Sequence, residues 1–150
     1  MFEPLDGGLR IVRVVHASCA DVFDAWVNPQ RLRSWWGPPG ITVLAVRGQL
    51  RVGGEYRIGM ETADGDPVEL VWTFRDISRP NRLVYDWRWT AGAGEPREQS
   101  SVTITFRDLG DRTEIELTHT GIVGDAVRDS HAAGWIGCLD GLDGMINQVV

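Results

Sequence analysis

Between residues 41 and 119 the chain alternates apolar and polar side chains in one stretch after another. "GEYRIGM" (54–60) sets Tyr56, Ile58 and Met60 on one face, and "VELVWTFR" (68–75) does the same with Val68, Leu70, Trp72 and Phe74. "RLVYDWRW" (82–89) aligns Leu83, Tyr85, Trp87 and Trp89, with Val84, Asp86 and Arg88 opposite. "SVTITFRDL" aligns Val102, Ile104 and Phe106, and "TEIELTH" aligns Thr113, Ile115, Leu117 and His119. "ITVLAVR" (41–47) begins the series. Side chains alternate across a strand, so this pattern predicts a sheet with one buried face and one wet face. Short connections, including the two-residue signal Gly110-Asp111, make the neighbours antiparallel. Such a sheet must cover its apolar face with another layer.

The flanks supply that layer. "LRIVRVV" (9–15) reads as a further strand. After it, Ser18 can cap a short helix with Asp21 in its first turn and Val22, Phe23, Trp26 and Val27 on one face. Asn28-Pro29 opens a second short helix carrying Leu32, Trp35 and Trp36, which "GPPG" stops. Neither is long enough to be stable alone, so both must dock. Trp35 and Trp36, about 100° apart on a helix, are expected to split between the core and a pocket rim or interface. Residues 125–148 form a long helix that Asp125 can cap. Trp135, Cys138, Leu139, Leu142, Met145 and Ile146 make its apolar arc. Gly134, Gly137, Gly141 and Gly144 adjoin that arc. Interior glycines cost roughly 1 kcal/mol each, so the sheet, a partner chain or a ligand is expected to approach there. The fold class expected is α+β, a helix-grip. One domain over 1–150 holds a curved antiparallel sheet of about six to seven strands, two short helices after the first strand, and a long C-terminal helix across the sheet.

Composition narrows the function classes. A chain of 150 residues, 43% of them hydrophobic, can bury a sizeable core without a disulfide or metal staple. The net charge of -6 argues against a nucleic-acid surface. No apolar run approaches the roughly 20 residues of a spanning helix, so no membrane partner is expected. "MFEPLDGGLR" lacks a basic region followed by an apolar run, and a cytoplasmic location follows as the expectation. Cys19 and Cys138 form no CxxC pair, and His16, His119 and His131 have no ligand-type spacing. No metal and no cofactor are expected.

"VFDAWVNPQRLRSWWGPPG", "RVGGEYRI", "RPNRLVYDWRW", "SVTITFRDLGDRTEIELTHTGI" and "HAAGWIGCLDGL" together resemble the SRPBCC superfamily of START-like proteins. Within it they are most similar to the branch named for the activator of the heat-shock protein 90 ATPase. The resemblance runs from about residue 9 to 147. Pro29, Trp35 and Trp36 match its "P…L…WW" element and Gly53-Gly54 its turn. Leu83, Val84 and Trp87 match its "LVY-W" strand, and Gly134-Trp135 the start of its terminal helix motif. None is a reactive group. The resemblance implies a helix-grip fold with a cavity, and no catalytic residue.

The inward faces nominate the cavity's ligand contacts as Tyr56, Ile58, Met60, Trp72, Phe74, Tyr85, Trp87, Trp89 and Phe106, with His119, Trp135 and Leu139. Aromatic walls with few polar groups suit a small hydrophobic or aromatic molecule. An alternative is a cyclase or hydrolase-like enzyme using His119 or Tyr85 in that cavity. His131 is expected near the pocket mouth. Asp86, Glu114 and Glu116 fall on the outer face, so no carboxylate pair is expected inside. Ser100 and Ser101 have no histidine partner identifiable in sequence and no nucleophile elbow. "VGGE" and "AGAGEP" read as hairpin connections without the Lys-Ser/Thr of a phosphate loop. A further alternative is a co-chaperone-like interaction module. A homodimer through the sheet edge or the glycine stripe is also open.

Overall fold

A computed structural model describes residues 2–37, 40–91 and 99–146. Eight strands form one curved antiparallel sheet. In chain order they are β1 (Phe2–Leu5), β2 (Gly8–Val15), β3 (Ile41–Gly48), β4 (Glu55–Thr62), β5 (Pro67–Ser78), β6 (Arg82–Ala91), β7 (Ser100–Asp108) and β8 (Thr113–Thr120). The helices are α1 (Cys19–Val27), α2 (Pro29–Trp35) and α3 (Asp125–Ile146). The spatial order is β1-β2-β8-β7-β6-β5-β4-β3. The α+β helix-grip is therefore the fold, with one strand more than six or seven. The extra strand is β1, which pairs with β2 across Asp6-Gly7, where Gly7 has φ of 75°. Asp-Gly is a strong hairpin signal because that turn needs positive φ.

The alternating faces land as their period requires. Tyr56 pairs with Trp72 and Trp72 with Trp87, so one row of large aromatic side chains crosses three strands. Met60 pairs with Val68, and Leu70 with Trp89. Register shifts at Glu69/Leu70 and Phe74/Asp76 bend β5. The outer face carries ion pairs. They include Arg10 with Glu116 at 3.0 Å and Arg107 with Glu114 at 3.2 Å.

The two short helices dock through aromatic side chains. The Ser18 hydroxyl accepts from the Asp21 N–H at 3.2 Å and the Asn28 side chain from the Gln30 N–H at 3.1 Å. Phe23 and Trp26 are fully buried against Phe106, with ring centroids 5.5 and 5.7 Å away. The Trp35 indole donates to the Ala25 carbonyl at 2.8 Å and closes α2 onto α1. Each large apolar side chain buried this way contributes roughly 2–3 kcal/mol.

Trp36 departs from expectation, because it is not helical. α2 ends at Trp35, and Trp36 is its extended C-cap with ψ of 146°. Its amide still closes the last turn on the Leu32 carbonyl. Leaving the helix lets Trp36 bury in a different direction from Trp35, beside Trp72, Trp87 and Trp135. Pro38 and Pro39 of the "GPPG" stop lie outside the described residues, as do residues 92–96 of "AGAGEP".

α3 crosses the sheet and is fixed at its C-terminal half. Arg13 on β2 pairs with Asp140 at 2.7 Å and Asp143 at 3.2 Å. A Cβ on Gly141 would sit 2.6 Å from the Trp35 carbonyl oxygen, so α2 makes the close approach there. Among the described residues, Gly134 and Gly144 have no neighbour within 4 Å of such a Cβ.

Candidate functional site

The N-terminal half of α3 roofs a cavity of about 270 Å³ at one end of the sheet. Its floor comes from Ile41 on β3, Met60 and Thr62 on β4, Val68 on β5, and Trp87 and Trp89 on β6. Its roof is Ser130, His131, Gly134, Trp135 and Cys138, spaced at one, three and four residues along one helical face. Trp36 enters from the α2–β3 junction. Among the described residues no Asp, Glu or Arg lines it.

Four of the twelve nominated side chains, Met60, Trp87, Trp89 and Trp135, stand on this wall. The other eight do not. Tyr56, Ile58, Trp72, Phe74, Tyr85, Phe106 and Leu139 are buried in the continuous core beyond it, and His119 is fully buried off the wall. The physical reason is aromatic packing. Trp72 stacks on Tyr85 at 4.2 Å, Phe74 meets Tyr56 edge-on at 4.9 Å, and Trp26 fills the space against Phe106. Tyr56 also donates its hydroxyl to the Val27 carbonyl at 2.5 Å, which ties it to α1. The sheet face is therefore filled beneath α1 and α2, and the cavity lies beneath the start of α3.

His119 is placed for structure. The indole of Trp135 can only donate, and it reaches His119 Nδ1 at 3.0 Å. The imidazole proton therefore sits on Nε2 and is donated to the Ser100 hydroxyl, 2.7 Å away. Ser100 thus has a histidine partner that its sequence context did not reveal, with the polarity opposite to nucleophile activation, in which the histidine accepts from the serine. Burial, with His131 nearby, holds the His119 pKa down at about 3. Tyr85 accepts from the Trp26 indole at 3.3 Å, and burial drives its phenol well above its ordinary value. Neither ring lines the cavity, so the enzymatic alternative has neither of its nominated groups there.

His131 does line the cavity, together with a much smaller neighbouring pocket of about 30 Å³. Its Nδ1 lies 2.9 Å from the Val127 carbonyl oxygen. Cys138 lies deep in the wall, and burial pushes its thiol up to about 12, so it is an inert thiol at neutral pH. The indole N–H groups of Trp72, Trp87 and Trp89 are buried without an acceptor among the described residues. Each such donor costs about 1–3 kcal/mol, and two of the three, Trp87 and Trp89, stand on the cavity wall.

The wall also holds Trp36, as expected of one of the two adjacent tryptophans, together with Ile41, Thr62, Val68, Ser130, Gly134 and Cys138, which are not among the expected ligand contacts. The face 130, 131, 134, 135, 138 was readable as a helical stripe. Its polar and small members fall outside an apolar pattern. Among the described residues no group of three His, Cys, Asp or Glu could hold a metal ion, and no helix is long and apolar enough to cross a membrane.

The sequence model of the family described as activator of Hsp90 ATPase homolog 1-like protein matches residues 16–147. A protein from Chromobacterium violaceum is 25% identical, with 93% of this chain and 96% of that one covered and a TM-score of 0.83. A protein from Arthrobacter aurescens is 22% identical over 100% of this chain and 92% of its own, with a TM-score of 0.84. An AHSA1 protein from Silicibacter pomeroyi is 23% identical over 91% and 94%, with a TM-score of 0.76. Comparison with curated proteins returned no significant match.

Proposed function

This chain belongs to the family of activator of Hsp90 ATPase homolog 1-like proteins, and from that premise we propose that it binds a small, neutral aromatic molecule between the sheet and α3. The observation that carries this reading is the convergence of Trp36, Trp87, Trp89 and Trp135 on about 270 Å³ of space. Flat apolar walls with a few polar groups are the usual make-up of a small-molecule site. The volume lies just under the roughly 300–1,000 Å³ of drug-sized sites, which favours one or two fused rings over a fatty acid or a sterol. A charged ligand would be buried without a counter-ion on the wall, at high cost.

Intrinsic tryptophan fluorescence, titrated with two-ring aromatics, flavonoids, fatty acids and sterols, tests this reading. Saturable quenching by the two-ring compounds, weaker for the larger ones, is the expected result. No response to any of them from a folded protein overturns it, and the search then moves to protein partners on the outer face.

A further inference from the structure

We propose that His131 sets the specificity of this cavity by accepting a hydrogen bond from a ligand hydroxyl, so that the preferred ligand is a phenol. The inference rests on the ligand-binding reading above and names the chemical class within it. Val127 offers only a carbonyl oxygen to His131 Nδ1, 2.9 Å away. A carbonyl can only accept, so the neutral ring carries its proton on Nδ1 and its lone pair on Nε2. That Nε2 has no hydrogen-bond partner among the described residues. The ring packs edge-on against both Trp87, with centroids 5.9 Å apart, and His119 at 5.1 Å, two rings that also meet each other at 5.0 Å.

The other polar groups of the wall do not separate a phenol from its ether: the Trp87 and Trp89 indole N–H groups, without an acceptor among the described residues, can only donate, and the oxygen of either ligand serves them equally. The Thr62 hydroxyl already accepts from the Asp66 N–H at 3.1 Å. A serine hydroxyl, as at Ser130, serves donors and acceptors alike. The His131 ring is different, since its free nitrogen accepts and cannot donate. A site with a fixed acceptor favours a ligand O–H and disfavours the isostere that lacks it.

Calorimetric titration of the full chain at neutral pH with naphthalene, 2-naphthol and 2-methoxynaphthalene is the test. The naphthol is expected to bind about three- to tenfold more tightly than its methyl ether. In His131→Phe, naphthalene binding should persist and that preference should vanish. If His131→Phe does not fold, His131→Met takes its place. A methyl ether that binds as well as the naphthol, or a preference that survives in the variant, overturns the proposal. Failure of all three compounds to bind overturns the ligand-binding reading itself, and this proposal with it.

Discussion

The indole of Trp135 and the imidazole of His119 fix each other: Nε1 donates to Nδ1 at 3.0 Å, and the proton this forces onto Nε2 goes to Ser100. One wall of the cavity is thereby tied to the paired strands β7 and β8. The arrangement holds only while His119 is neutral, because a protonated Nδ1 cannot accept.

That requirement has a sign. The pKa of His119 is about 3 in the folded protein against an ordinary 6.5, so the unfolded chain binds this proton first. The contribution is fully present above about pH 6.5 and is lost as pH falls toward about 3. Stability should fall on acidification by up to ~1.4 kcal/mol per pH unit from this one group. Urea unfolding at about pH 7.5, 6 and 5 should show that slope in the wild type and a shallower one in His119→Gln. Equal slopes would mean that His119 titrates normally.

The glycines of α3 should respond in opposite directions. Gly141→Ala drives a Cβ to within 2.6 Å of the Trp35 carbonyl oxygen, and the backbone shift that relieves it should cost about 1–3 kcal/mol. Gly144→Ala meets nothing within 4 Å and should gain roughly 0.5–1 kcal/mol from helix propensity. Thermal melts of the two variants should therefore shift to either side of the wild type.

Tyr85→Phe should destabilise by about 1–3 kcal/mol although it removes only one oxygen. The Trp26 indole donates to that oxygen at 3.3 Å inside the fully buried core and would be left without an acceptor. Denaturant unfolding measures the loss, and a neutral result would show that the Trp26 indole finds another partner.

Much of this architecture could be read from the sequence. The period-two faces of residues 54 to 119 placed Tyr56, Trp72, Tyr85 and Phe106 inward, and all are buried. Ser18 and Asn28 cap the helices they precede. The location of the cavity was less legible. Alternation shows that Phe74 and Met60 face the same layer, but it cannot show that Tyr56 and Tyr85 pack around Phe74 while space remains beside Met60. That difference depends on where α1 and α2 dock. It depends equally on Trp36 leaving the helix, a choice made by backbone angles after Trp35. His131, near the start of the last helix, is expected at the pocket mouth from sequence and lines the cavity. Its role emerges once the Val127 carbonyl fixes the proton and Trp87 comes alongside.

The measurement that bears most directly on the central claim is calorimetric titration of naphthalene into the wild type and into Gly134→Leu. Gly134 lines the cavity, and a Cβ there meets nothing within 4 Å among the described residues, so a leucine can enter the cavity from an unobstructed Cβ, and the gain in helix propensity should keep the variant folded. Saturable binding to the wild type, with binding lost in a well-folded Gly134→Leu, is the predicted result. Undiminished binding in the variant would place the ligand elsewhere and contradict the account.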